Sequence, residues 1–293
     1  MSPLVATTHS CNFHPMRLTF QPLSHFNHFT TMSLEILFTG TGTSVGIPMI
    51  GCHCPVCTSS DPRNTRLRSS VYIRTAKTAV VIDTPPDFRQ QMLQFKIERL
   101  DGVVFTHAHA DHFLGFDDIR RFNTLKGAPI AAYADPITLA EVRRVFHYIG
   151  NKPSSKGLYR PLINFHEAIA PFQIGELRFT PVEVCHGVRM TGYLVQTAEA
   201  SIGYVPDCCG MPDKALEIFK GVDLMILDAL RYRPHPAHFC VRQSLDVLKK
   251  IGAKRACLTH ICHDIDHAAL AVELPPGIEP AYDGLRIRLP GAK

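Results

Sequence analysis

Residues 106–112 read Thr-His-Ala-His-Ala-Asp-His, three imidazoles and a carboxylate within six positions. They directly follow the apolar run 102–105, which reads as a short buried strand. In an extended segment residues two apart face the same side, so His107 and His109 can grip one ion. A turn into a helix would leave Asp111 and His112 facing a second ion beside the first. Such a pair suits hydrolysis, because one ion acidifies a water while both hold the oxygens of the group under attack. Three later segments repeat the design of an apolar strand ending in a ligand-type residue: 182–185 ends at His186, 202–206 at Asp207 and 256–259 at His260. Ends of adjacent strands can converge on one rim of a sheet, and together these residues complete two coordination shells.

A second cluster is made of thiols. Residues 51–57 read Gly-Cys-His-Cys-Pro-Val-Cys, so Cys52, Cys54 and Cys57 can occupy three corners of a tetrahedron around a structural Zn2+. His263, three residues after His260, is the natural fourth ligand. His53 and Cys262 are rivals, although His53 lies inside the tight Cys turn and would point away.

The elements that must carry these residues alternate along the chain. Strand patterns fall at 34–38, 70–73, 79–82, 102–105, 130–133, 177–184, 192–196, 201–205, 224–227 and 255–258. Helical patterns fit 88–95, 117–122, 137–149, 214–219 and 241–251. Many strands with few helices predict two sheets packed face to face with helices outside.

At this point the chain resembles the metallo-β-lactamase-fold hydrolases. Their pattern H-x-H-x-D-H stands at residues 107–112, and His186, Asp207 and His260 stand where the third His, the bridging Asp and the last His are expected. The resemblance covers residues 32–293. It implies an α+β fold, an αββα sandwich of two packed mixed sheets with helices on the outer faces. It also implies His107, His109 and His186 on one metal, Asp111, His112 and His260 on the other, and Asp207 between them. A bridging Asp, in place of Cys, is similar to the phosphodiesterase and thioesterase branches. Asp83, closing the strand 80–82, resembles the buried Asp that orients the metal loop; the alternative is a turn residue before Pro85-Pro86.

The loop 42–44, the G-C-x-C-x-x-C run and the T-H-x-x-H segment together resemble the PhnP-type enzymes, which hydrolyse phosphoribosyl 1,2-cyclic phosphate. By position in the Pro-His-Pro-Ala-His loop 234–238, His238 resembles that family's metal-free catalytic His, which would protonate the leaving alkoxide; His235 is the weaker candidate. The implied activity is hydrolysis of a small cyclic phosphodiester, with two Mn2+ or Zn2+ ions in the active site and one structural Zn2+. Rival readings are a PqqB-like protein of quinone-cofactor synthesis, a thioesterase, an RNA-processing hydrolase of the same fold, and a metal-dependent sensor without turnover. No protruding basic arm of the kind used for tRNA is visible.

Bulk properties fit a soluble enzyme. The chain has 293 residues, 45% hydrophobic and 19% charged, enough for a sizeable core. A net charge of +5 suits a small anionic substrate and is too small to argue for nucleic acid. No apolar run is long enough to cross a bilayer. The ten cysteines in a chain this size read as metal ligands and reduced core residues, in keeping with a cytoplasmic protein. Arg63, Arg66, Arg68 and Arg74 make a basic span that would suit a phosphate ester, although such runs are more often solvated faces. Residues 1–31 carry no acidic side chain, a single Arg and no signal-peptide pattern. They are expected to be a disordered or mis-annotated extension, with the hydrolase domain at 32–293. The oligomeric state is left open, a homodimer included.

Overall fold

The computed structural model describes residues 34–150 and 159–290, all within one unit that runs from Thr31 to Lys293. The expected extension at 1–31 lies outside the described residues. In chain order the elements are β1 (Leu34–Gly40), β2 (Ser70–Arg74), β3 (Ala79–Ile82), α1 (Phe88–Gln94), β4 (Gly102–Val104), α2 (Ala110–Phe113), α3 (Arg120–Lys126), β5 (Ile130–Ala134), α4 (Pro136–Val145) and β6 (Ile163–Glu167). There follow β7 (Phe172–Ile174), β8 (Leu177–Val184), β9 (Met190–Gln196), β10 (Ser201–Val205), α5 (Asp213–Phe219), β11 (Leu224–Asp228), α6 (Val241–Ile251), β12 (Ala256–Thr259), α7 (His267–Glu273), β13 (Ile278–Pro280) and β14 (Arg286–Leu289).

Two seven-stranded sheets result, in the orders β14-β1-β2-β3-β4-β5-β6 and β13-β12-β11-β10-β9-β8-β7. Both are mixed. In the first, β3 to β6 run parallel, and in the second β10 to β13 do; the remaining neighbours are antiparallel. Strands buried on both faces read as continuous apolar runs because each parity finds a partner layer. In β11, Leu224 and Ile226 pack between the sheets, whereas Met225 and Leu227 pack outward with α6 residues such as Leu248 and Ile251. In β3, Val80 and Ile82 face inward; Ala79 and Val81 join the outer cluster with Phe88 of α1 and Leu139 of α4. The expected sandwich is therefore what the chain forms.

Some expectations are corrected. The pattern at 117–122 splits into a 3-10 turn, Phe116–Ile119, followed by α3, and the helix expected to reach residue 149 ends at Val145. The basic span serves structure: Arg66 is wholly buried, donating to Thr41 Oγ1 and Ala281 O, while Arg63 pairs with Asp61, Arg68 with Asp87 and Arg74 with Glu35. Cys185, one of the cysteines read as reduced core residues, is exposed.

Candidate metal centre

The candidate residues sit where parallel strands end. Asp83 follows β3, β4 runs into 106–112, Asp207 stands two residues beyond β10, Asp228 closes β11 and His260 follows β12, while antiparallel β8 delivers His186 two residues past its end. Asp83 fixes the 106–112 turn. Its Oδ1 accepts Thr106 N–H at 2.8 Å, and its Oδ2 accepts Thr106 Oγ1–H and His112 Nδ1–H, both at 2.8 Å. The turn reading of Asp83 is thus incomplete, because the side chain is wholly buried and orients two residues of the loop. Asp83 (φ 66°) and His260 (φ 58°) are two of three non-glycine residues with positive φ among those described. The left-handed region costs an ordinary residue about 1–2 kcal/mol, and such strain persists where surrounding bonds impose it.

Four ligand atoms held tetrahedrally at about 2.0–2.1 Å from one ion lie about 3.3 Å apart. His107 Nε2 is 2.9 Å from His109 Nδ1, and His186 Nε2 is 3.4 Å from the same nitrogen. Asp207 Oδ2 closes this set at 3.7 Å from His107 and 3.6 Å from His186. Its other oxygen, Oδ1, faces the second set, 3.4 Å from both His112 Nε2 and His260 Nε2. Asp111 Oδ2 completes that set at 3.4 Å from His112 and 3.7 Å from His260. One carboxylate therefore splits its two oxygens between two clusters.

Burial and charge make the same demand. His112 Nε2, Asp207 Oδ1 and His260 Nε2 are buried without a hydrogen-bond partner, an arrangement that costs several kcal/mol unless something cationic binds there. Burial alone would push Asp207 up, yet His260 and His112 hold it well below the carboxylate range. Burial alone would push His112 down, yet Asp207, Asp83 and Asp111 lift it well above the imidazole range. Burial lowers His107, His109 and His186, which leaves their lone pairs available. His186 Nδ1–H donates to Ala237 O at 2.7 Å, so Nε2 is its free nitrogen. These residues fit divalent cations.

The thiol cluster is equally compact. Cys52, Cys54 and Cys57 Sγ lie 3.3, 3.4 and 3.7 Å from His263 Nδ1, against about 3.6 Å for S and N ligands of one tetrahedral zinc. The amides of Met49 and Cys57 approach Cys57 Sγ and Cys54 Sγ, each at 3.4 Å. The amide of Cys57 holds Cys54 down to about 6, and burial pushes Cys57 up to about 11. Of the rival fourth ligands, His53 is exposed, and neither it nor Cys262 joins the group.

His238 lies beside the first centre, its ring 4.8 Å from those of both His186 and His260. Sequence reasoning missed its partner. Asp228 is wholly buried, and its Oδ2 accepts His238 Nδ1–H at 2.9 Å and Cys208 N–H at 2.8 Å. The available signal was that β11, like β10, is an apolar strand ending in Asp. Burial, reinforced by His260, lowers His238 to about 4, and burial raises Asp228 well above its usual range.

Comparison with known proteins follows the geometry. Residues 78–261 match the Beta-lactamase superfamily domain. The chain is similar to a crystal structure described as a new diphosphatase from the PhnP family, at 37% identity and a TM-score of 0.80, covering 88% of this chain and 98% of that one. A curated protein from Porphyromonas gingivalis named Octanoyltransferase is 36% identical over 261 residues, 86% of this chain. The chain spans 51% of that protein, so the name describes a longer molecule. Coenzyme PQQ synthesis protein B of Methylorubrum extorquens is 22% identical over 225 residues, covering 67% of this chain and 72% of that one. With well over half its length matched, the chain belongs to the beta-lactamase superfamily and has the metallo-β-lactamase fold.

Proposed function

We propose that this protein cleaves a P–O bond of a small anionic phosphodiester, with His107, His109 and His186 holding one divalent ion, Asp111, His112 and His260 another, and Asp207 shared between them. Two such ions, Mn2+ or Zn2+, supply when bound the Lewis acidity that polarises phosphoryl oxygens and makes water a nucleophile near neutral pH. Cys52, Cys54, Cys57 and His263 hold a third ion, a structural Zn2+ that fixes the loop after β12. Zinc retained by thiolates goes with a reducing, cytoplasmic setting.

The observation that carries this reading is the Asp228–His238 pair beside the split carboxylate of Asp207. Asp228 fixes Nδ1–H of His238, which leaves Nε2 as the proton-transferring atom. As water adds to phosphorus and the ester bond breaks, His238 Nε2–H gives its proton to the departing oxygen. Burial makes the imidazolium scarce in the free protein; an anionic substrate beside the ring favours it in the complex. A small cyclic phosphodiester suits the motifs. A diphosphate diester is the second reading, favoured by the 37% identical relative described as a diphosphatase. The test is a screen of metal-loaded protein against cyclic phosphodiesters, diphosphate diesters, linear phosphodiesters, thioesters and lactams. Turnover of thioesters or lactams alone would refute the reading.

A further inference from the structure

The loop between β11 and α6 carries a second histidine, His235. The base of the loop is closed by Leu230 N–H to Phe239 O and Val241 N–H to Arg231 O, both 3.0 Å. Arg231 braces it from within, donating from Nε to Arg233 O at 3.2 Å and from Nη2 to Pro234 O at 2.9 Å. Pro234 and Pro236 flank His235 and restrict the backbone on both sides.

The backbone of one residue, Ala237, orients two imidazoles. Ala237 O accepts His186 Nδ1–H, and Ala237 N–H donates to His235 Nδ1 at 3.2 Å. A ring nitrogen that accepts carries no proton, so neutral His235 bears its hydrogen on Nε2 and is a donor there. Its ring lies 5.1 Å from that of His238, which lies 4.8 Å from that of His260. His238 is thus in ring contact both with the buried His260 and with the half-buried His235. With phosphorus at the ligands and the departing oxygen at His238, atoms one or two bonds beyond that oxygen come alongside His235.

We infer that His235 Nε2–H donates to an anionic oxygen of the leaving group, so that the site selects phosphodiesters whose leaving group is itself a phosphate monoester, as in a diphosphate diester, over aryl esters. This specificity role rests on the hydrolytic reading above, with the departing oxygen beside His238; a phosphate monoester, like a nitrophenolate, leaves with little need of the His238 proton. The competing role is local: His235 Nδ1 could do no more than staple its own turn.

Two substitutions separate the roles. In His235→Asn, Oδ1 stands near the place of Nδ1 and keeps the turn bond to residue 237, but the Nε2 donor is gone. In His235→Gln, the amide reaches the Nε2 position and the turn bond is lost. Metal-loaded full chain is assayed with ADP-ribose and with bis-p-nitrophenyl phosphate. For ADP-ribose, H235N should raise KM roughly ten- to a hundred-fold, the scale of one hydrogen bond to a charged group. Its kcat should change little, since the bond is present in both ground and transition states. Its activity on bis-p-nitrophenyl phosphate should be unchanged, and H235Q should stay within several-fold of wild type on both. If H235N matches wild type and H235Q is impaired on both substrates, His235 is a turn staple and the inference is overturned. Wild type that cleaves bis-p-nitrophenyl phosphate but not ADP-ribose overturns the inference and leaves the phosphodiesterase reading intact. Wild type that cleaves neither overturns both.

Discussion

Asp228 Oδ2 lies 2.9 Å from His238 Nδ1 and accepts, 2.8 Å away, the amide of the residue that follows Asp207. A single buried carboxyl group thus sets the tautomer of His238 and ties its loop to the strand end that carries Asp207, whose two oxygens face the two candidate metal clusters. His238→Ala should keep metal content and slow turnover about a hundred- to ten-thousand-fold for a substrate with a poor leaving group. The loss should shrink for bis-p-nitrophenyl phosphate, whose departing phenolate needs little protonation. Asp228→Asn should slow the same substrates in the same order by about ten-fold or more, through the wrong tautomer. Equal losses on good and poor leaving groups would remove the pair from proton transfer.

Metal stoichiometry separates the two clusters. Elemental analysis of reconstituted protein should find about three ions per chain, one held by thiolates. Cys54→Ser or His263→Ala should lower that count by one and reduce the melting temperature, because a structural zinc contributes directly to folding. A count of one ion or fewer in the wild type would contradict the assignment of two separate metal sites.

Asp83 binds no candidate ion itself, yet it orients Thr106 and His112 through three bonds of 2.8 Å. Asp83→Asn should leave the fold in place and weaken metal binding at the Asp111, His112 and His260 set about ten- to a hundred-fold. Competition with a chelator measures this, and an unchanged affinity would show that the backbone alone sets the loop.

Acid sensitivity should be traceable to Glu35. It is buried on β1 among Arg74, Arg286 and Arg288, which donate at 2.9, 3.0 and 2.8 Å. Burial alone would raise its pKa, but hydrogen bonds from Arg288 and Arg74 and the nearby charges hold it below the ordinary 4.5. A lowered carboxylate stabilises the fold at pH values above 4.5, and that contribution is lost as pH falls through the folded-state value. Urea midpoints of wild type and Glu35→Gln should therefore differ most near neutral pH and converge in acid. A gap that stays constant from pH 7 to pH 3 would rule this out.

Much of the architecture could be read from the sequence because its central strands are apolar on both parities. The four strands that were not expected, β6, β7, β13 and β14, are the four edges of the two sheets. An edge strand has one neighbour and one wet side, so it is short and mixed: β6 reads Ile-Asn-Phe-His-Glu and β14 reads Arg-Ile-Arg-Leu. Such runs carry little periodic signal. At the site, the crowding of histidines in 106–112 made that segment visible, and His186, Asp207 and His260 followed from their places at strand ends. Asp228 shares that placement but not the visibility, since its meaning comes from a histidine ten residues later that folds back onto it. The arginines were ambiguous for the converse reason. Their spacing suggests a phosphate grip, but each charge is met by a carboxylate or a buried acceptor that only the tertiary structure brings near.

The thiol cluster and its histidine lie far apart along the chain, 206 residues separating Cys57 from His263. During synthesis at about 5–20 residues per second, the three cysteines leave the ribosome roughly ten to forty seconds before their fourth partner. For that interval the nascent protein carries an open three-thiol claw, free to be oxidised or to pick up a softer ion such as Cu(I). Assembly of the proposed zinc site should thus depend on the thiol and metal buffering of the cell that translates the chain, and heterologous production under copper or peroxide stress should yield chains miscapped at Cys52, Cys54 and Cys57.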